Sequence, residues 1–173
     1  AALTVDLDTR KRQRGTNPAA ILALDPDLGA GCRDGIVDLA REHDVATVVH
    51  SAEPELAPLV AALTEAGLTV DLYSPDAAAT ADLGLTAAVA GVAATGSLVL
   101  DASVAGSRAA GLLPPVHVCV LREDQVVATP ADVLHRLRAG APSSLVLVGG
   151  PSRTGDVEQD ELPPRHAGRP GQR

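Results

Sequence analysis

Two short apolar runs, VATVVH at residues 45–50 and LTVDLY at residues 68–73, flank a segment with helical periodicity, PELAPLVAALTEAG at residues 54–67. β-Branched residues in runs of four to six suit strands, and the spacing of apolar residues between them suits a helix stopped by Gly67. The sequence therefore predicts a βαβ unit, and its strands must lie parallel in one sheet. Ahead of it, RDGIVDLAREH at residues 33–43 places Ile36, Val37, Leu39 and Ala40 on one helical face. Further on come TGSLVLD (95–101), a glycine-rich loop, PVHVCVLR (115–122), VVAT (126–129), the helix PADVLHRLRAG (130–140) and SLVLVGG (144–150). Continuously apolar strands joined through helices imply an α/β fold with three layers, a largely parallel sheet covered by helices on both faces. On this reading SLVLVGG is a central parallel strand with Leu145 and Val146 both buried.

The chain has 173 residues, 46% of them hydrophobic, enough for one domain and too few to promise two. The pattern divides it into a flexible N-terminal segment (1–16), a single α/β domain (17–158) and an irregular or disordered C-terminal tail (159–173). A net charge of −8 and a single aromatic residue, Tyr73, argue against nucleic acid, which needs a basic surface and, for single strands, rings for stacking. Residues 84–100 carry no charge but are too short and too interrupted by glycine to span a membrane. The basic RKRQR at 10–14 precedes only the short apolar run AAILAL, too brief for a secretory core. A cytoplasmic protein without a membrane span is expected. Cys32 and Cys119 have no CxxC spacing and read as reduced thiols. His43, His50, His135 and His166 show no metal-ligand spacing, and no metal is assigned.

In parallel sheets, ligands gather beyond the carboxyl ends of the strands. Three glycine-containing turns are therefore of interest: TGS (Thr95, Gly96, Ser97), GSRAAGLLPP, and GGPSRTGD at 149–156. Glycine lets backbone approach a ligand closely, and Ser152, Thr154 and Asp156 are each capable helix N-caps. The last turn reads equally as a capped strand-to-helix connection or as an anion site. Arg153 and Arg108 are the side chains that would hold a carboxylate or phosphate through two parallel hydrogen bonds. His117, alternating with Val116 and Val118, points to the opposite face from them, as a hydrogen-bonded structural residue or as one that reaches a ligand. The candidate ligand-binding set is Thr95, Gly96, Ser97, Arg108, His117, Gly150, Ser152, Arg153, Thr154 and Asp156, with the catalytic residues left unassigned.

In that order, ADLGLT, AATGSLVLD, GSRAAGLLPPVHVCVL and GGPSRTGD resemble the LUD domain, the family of lactate-utilization protein C. The resemblance runs from about Asp82 to Glu158. It implies a fold related to ribose-5-phosphate isomerase, glucosamine-6-phosphate deaminase and the CoA transferases. It also implies a role in bacterial oxidation of L-lactate to pyruvate, as a subunit that binds no cofactor itself and sits beside iron–sulfur partner proteins. The alternative is a stand-alone enzyme acting on a small carboxylate, phosphosugar or acyl substrate. Three departures stand out. Ala94 occupies a position commonly acidic in the family, Gly106, Ser107 and Arg108 replace a tighter Gly-Arg pair, and the residues after Gln159 lack the family's apolar continuation, through truncation or a divergent reading frame.

Overall fold

A computed structural model describes residues 30–138, 140 and 142–149. The described residues open with helix α1 (Ala30–Glu42), then β1 (Thr47–His50), a 3-10 turn at Pro54–Leu56, α2 (Ala57–Glu65) and β2 (Thr69–Leu72). This is the βαβ unit expected from the sequence, and β1 and β2 pair in parallel. Gly67, with φ of 90°, ends α2 in the left-handed conformation. Next come α3 (Pro75–Thr80), β3 (Leu83–Ala87), β4 (Ala90–Val92), β5 (Ser97–Asp101), α4 (Ser107–Leu112) and β6 (Val116–Val120). β7 (Val126–Val127), α5 (Pro130–Leu137) and β8 (Leu145–Val148) complete the described elements.

The first sheet has the order β2-β1-β3-β6, and every pair in it is parallel. Alternation along the strands divides its two faces. Val48, Leu83, Leu85, Val116 and Val118 point toward α1 and α2, where they meet Ile36, Leu59 and Leu63. Val49 points the other way, into a smaller cluster with Ala78, Ala81 and Ala110 under α3 and α4. Helices thus cover both faces, as the near-continuous burial of β3 and β6 requires.

The helix α4 occupies what reads in the sequence as a glycine-rich loop. Four of its six residues, Ser107, Ala109, Ala110 and Gly111, are small, and that composition lets it lie close to the sheet. A Cβ placed on Gly84 would lie 1.6 Å from the carbonyl oxygen of Ala110, so α4 rests on bare backbone of β3. A six-residue helix carries too weak a periodicity to be read without that contact.

Asp82 fixes the start of β3 to the start of β1. Its Oδ2 accepts hydrogen bonds from the N–H groups of Ala46 (3.0 Å) and Thr47 (2.9 Å) and from Thr47 Oγ1 (2.8 Å). The Thr47 hydroxyl, followed by these two amides, holds the carboxyl below its ordinary value of 3.8. A depressed folded value means that the stabilisation is present above the unfolded value and is lost as pH falls through the folded one. Solvent at the sheet rim screens the contact, so Asp82→Ala is expected to cost about 1 kcal/mol rather than the fuller worth of a buried charged hydrogen bond. Urea midpoints of the two proteins should differ at neutral pH and converge on acidification; equal midpoints at pH 7 would remove this role from Asp82.

The second sheet has the order β7-β4-β5-β8 and is mixed: β4 and β5 are antiparallel, β7 runs parallel to β4, and β8 runs antiparallel to β5. One of its faces packs Leu98 and Leu100 against Ala88, Cys119 and Leu121, and the other packs Ala90, Val92 and Val99 against Val133 of α5. The expectation of a central parallel strand at 144–150 is corrected here. Among the described residues β8 is the last strand of its sheet, Leu145 and Val146 are half-buried, and Leu147 is 58% exposed. An apolar run reports that a strand is packed, but neither its direction nor its sheet. No helix among the described residues is long and apolar enough to cross a membrane.

Candidate functional site

In the first sheet β2 lies on one side of β1 and β3 on the other, so the chain reverses its winding direction between β1 and β3. The crevice beyond the carboxyl ends of such a strand pair is where parallel sheets place their ligands. After His50 the chain turns through Ser51, whose N–H and Oγ both donate to the Leu85 carbonyl, at 3.0 and 3.3 Å. The Ala52 N–H donates to the Ala105 carbonyl at 3.2 Å and ties this turn to the approach of α4. Gly106 then caps α4 with φ of 86°, its α-carbon so close to Tyr73 that a Cβ would lie 2.3 Å from the tyrosine Cβ. The left-handed turn and this contact both demand glycine. Together they place Ser107, wholly buried, beside Glu53.

Glu53 is half-buried as a residue, but both its carboxyl oxygens are shielded from solvent and make no hydrogen bond of good geometry, as is also true of Ser107 Oγ. Burial raises the Glu53 carboxyl above its ordinary value of 4.5. The nearby hydroxyl of Ser51, the N–H of Glu53 itself and, least strongly, the hydroxyl of Ser107 oppose that rise, and the charge of Glu55 adds to it. The hydroxyls are close enough to act on the charge without being aligned to bond it. Buried polar atoms left unsatisfied are rare in native proteins and mark places where something else is expected to bind or react.

Beneath α4, on the same face of the sheet, lies a second polar layer. His117 stands opposite Gly84, and Cys119 opposite Thr86, in the β3–β6 register. His117 Nε2 and Thr86 Oγ1 are 2.8 Å apart, both residues are wholly buried, and His117 Nδ1 has no partner. Burial pushes the His117 imidazole down to about 4 and the Cys119 thiol up to about 12. At neutral pH the imidazole is uncharged and the thiol protonated, so Cys119 is no nucleophile. Among the described residues no group of three or more histidines, cysteines or carboxylates is placed to hold a metal ion.

The residues singled out from the sequence fall in separate places. Thr95 and Gly96 lie in the exposed turn before β5, whose first residue is the half-buried Ser97, and Thr95 Oγ1 donates to Ser97 Oγ at 2.9 Å. Gly149 lies against this turn, its Cβ position 3.6 Å from Ser97 Oγ, so two of the three glycine turns do meet. Arg108 is exposed on α4 beside Ser107, and His117 is buried below that helix. Gly150, Ser152, Arg153, Thr154 and Asp156 lie outside the described residues. Sequence reasoning missed Glu53 and Ser51. Their signal was available, an acid three residues past a β-branched run, but a Glu-Pro pair opening a helix is also ordinary helix-start chemistry.

Known proteins supply the remaining comparison. The LUD domain profile matches residues 21–168. No curated protein matches the chain. A DUF162 family protein from Deinococcus radiodurans, known from its crystal structure, is 26% identical, over 68% of this chain and 88% of that one, with a TM-score of 0.44. The profile match spans most of the sequence and contains both the Glu53 crevice and the His117 layer: the chain belongs to the LUD domain family.

Proposed function

We propose that the protein is a component of a bacterial L-lactate utilization system, of the lactate-utilization protein C kind, acting in the cytoplasm beside iron–sulfur partner proteins. The observation that carries this reading is the LUD domain match over residues 21–168. The chemistry of the chain fits a subunit that leaves electron transfer to others. A cluster takes about four thiolates, whereas this chain has two cysteines, both buried. The thiol of Cys119, held protonated by its surroundings, is a poor ligand. Ala94, where the family commonly has an acid, sits exposed in the turn before β5 and offers no group for acid–base work.

The test is reconstitution. The chain is expected to co-purify with cysteine-rich iron–sulfur proteins of its own host, and its omission should abolish L-lactate-dependent reduction of an electron-accepting dye by the assembled complex. Undiminished lactate oxidation without the chain, together with no co-purification, would remove it from that system.

A further inference from the structure

The crevice at the carboxyl end of β1 gathers oxygen acceptors from three side chains, and among the described residues no positive charge acts on Glu53. Glu53 contributes a carboxyl group with both oxygens buried and unbonded, and Ser107 a hydroxyl in the same condition. Ser51 has one hydroxyl proton to donate, to the Leu85 carbonyl or to the Glu53 carboxyl, and keeps lone pairs that can accept. We infer that this cluster binds a primary ammonium group, with Glu53, Ser51 and Ser107 each accepting one of its three N–H bonds.

The alternatives fit the same atoms less well. An anion would meet Glu53, with Glu55 adding negative charge, and His117 in the layer below is neutral. A ligand hydroxyl brings a single donor and leaves the buried carboxylate without a counter-charge. A divalent metal ion such as calcium takes six to eight oxygen ligands, more than the cluster holds. An ammonium group brings three donors and no acceptor, and its hydrogen bond to a carboxylate is charge-assisted. The protein's net charge of −8 also favours the approach of cations. Ala52 and Pro54 on either side of Glu53 are exposed, so the carboxyl lies one side chain below the surface. None of this depends on the lactate reading, since the site is defined by its own acceptors.

Methylammonium is the probe, with tetramethylammonium and potassium as controls at equal ionic strength, followed through the carboxyl carbon resonance of Glu53 in labelled protein. Saturable binding of methylammonium should lower the titration midpoint of Glu53 by about one pH unit or more, since a bound cation favours the ionised form. Glu53→Gln should weaken binding at least about tenfold, and Ser107→Ala, which leaves the carboxyl in place, severalfold. If Glu53→Gln fails to fold, Ser107→Ala and the two control cations still decide the matter. Equal binding of tetramethylammonium or potassium would overturn the three-donor geometry, and no saturable shift with methylammonium would overturn the site.

Discussion

Adding one methyl group at Gly84 is expected to separate helix α4 from the parallel sheet and to cost about 3 kcal/mol or more. The new Cβ would lie 1.6 Å from the Ala110 oxygen and 2.7 Å from its carbonyl carbon, with Pro114 Cγ at 3.2 Å. Overpacking against side chains costs about 1–3 kcal/mol, because they can rotate or bend away. Here the obstacle is main chain, so either β3 bows out of register with β1 and β6, or α4 lifts and exposes Ala110, Thr86 and His117. Set against a stability of about 5–15 kcal/mol for an ordinary domain, that loss is large. Gly35 provides the control. It lies inside α1 with nothing within 4 Å of its Cβ position. Gly35→Ala is expected to stabilise the chain by up to about 1 kcal/mol, the difference in helix propensity. Urea denaturation of both variants tests the argument, and equal midpoints would mean that α4 does not sit on Gly84 as described.

Acid should weaken the fold through His117, by about 3 kcal/mol between pH 6.5 and 4. The buried imidazole has a folded value of about 4 against an ordinary 6.5. As pH falls below 6.5 the unfolded chain takes up the proton first, so stability declines until the folded imidazole also titrates near pH 4, and is flat below that. Glu53 works in the opposite sense. Its carboxyl is raised above 4.5 by burial, so the protonated form is favoured in the folded chain, and stability falls as pH rises through the folded value. The two slopes oppose each other where their windows overlap, which makes single variants necessary. His117→Gln keeps a polar group beside Thr86 and cannot titrate. The stability difference between wild type and His117→Gln should change steeply from pH 6.5 to 4. A difference that stays constant across that range would show that His117 is accessible to protons in the folded state.

His117 also marks how far sequence alone reaches into the site. Its alternation with Val116 and Val118 predicts that it leaves their face, and it does, for Val116 and Val118 join the α1–α2 core while His117 bonds Thr86 under α4. The same alternation says nothing of Thr86, because the two are brought together by the β3–β6 register rather than by nearness in the chain. Glu53 and Ser107 are a harder case. Each is an unremarkable residue locally, one before a proline and one opening a short helix, and only the left-handed turn at Gly106 against Tyr73 makes them neighbours. The family resemblance pointed to the segment around Gly106, Ser107 and Arg108 as a departure, and the structure sets its buried member, Ser107, beside Glu53.

Taken by itself, the sequence determined the helix α1 and the βαβ unit from β1 to β2 that follows it, the stop at Gly67, the alternation of His117 with its neighbours in β6, and membership of an α/β class, because periodicity records which sides of an element are buried. Tertiary structure decided what lies against those sides. It placed β8 antiparallel to β5 in a second sheet, turned an apparent loop into α4, and set a carboxyl group and two hydroxyls together at the point where the winding of the first sheet reverses. These outcomes rest on contacts between segments far apart in the chain, such as the Ala110 carbonyl on Gly84, and no local pattern of side chains encodes which distant backbone will arrive.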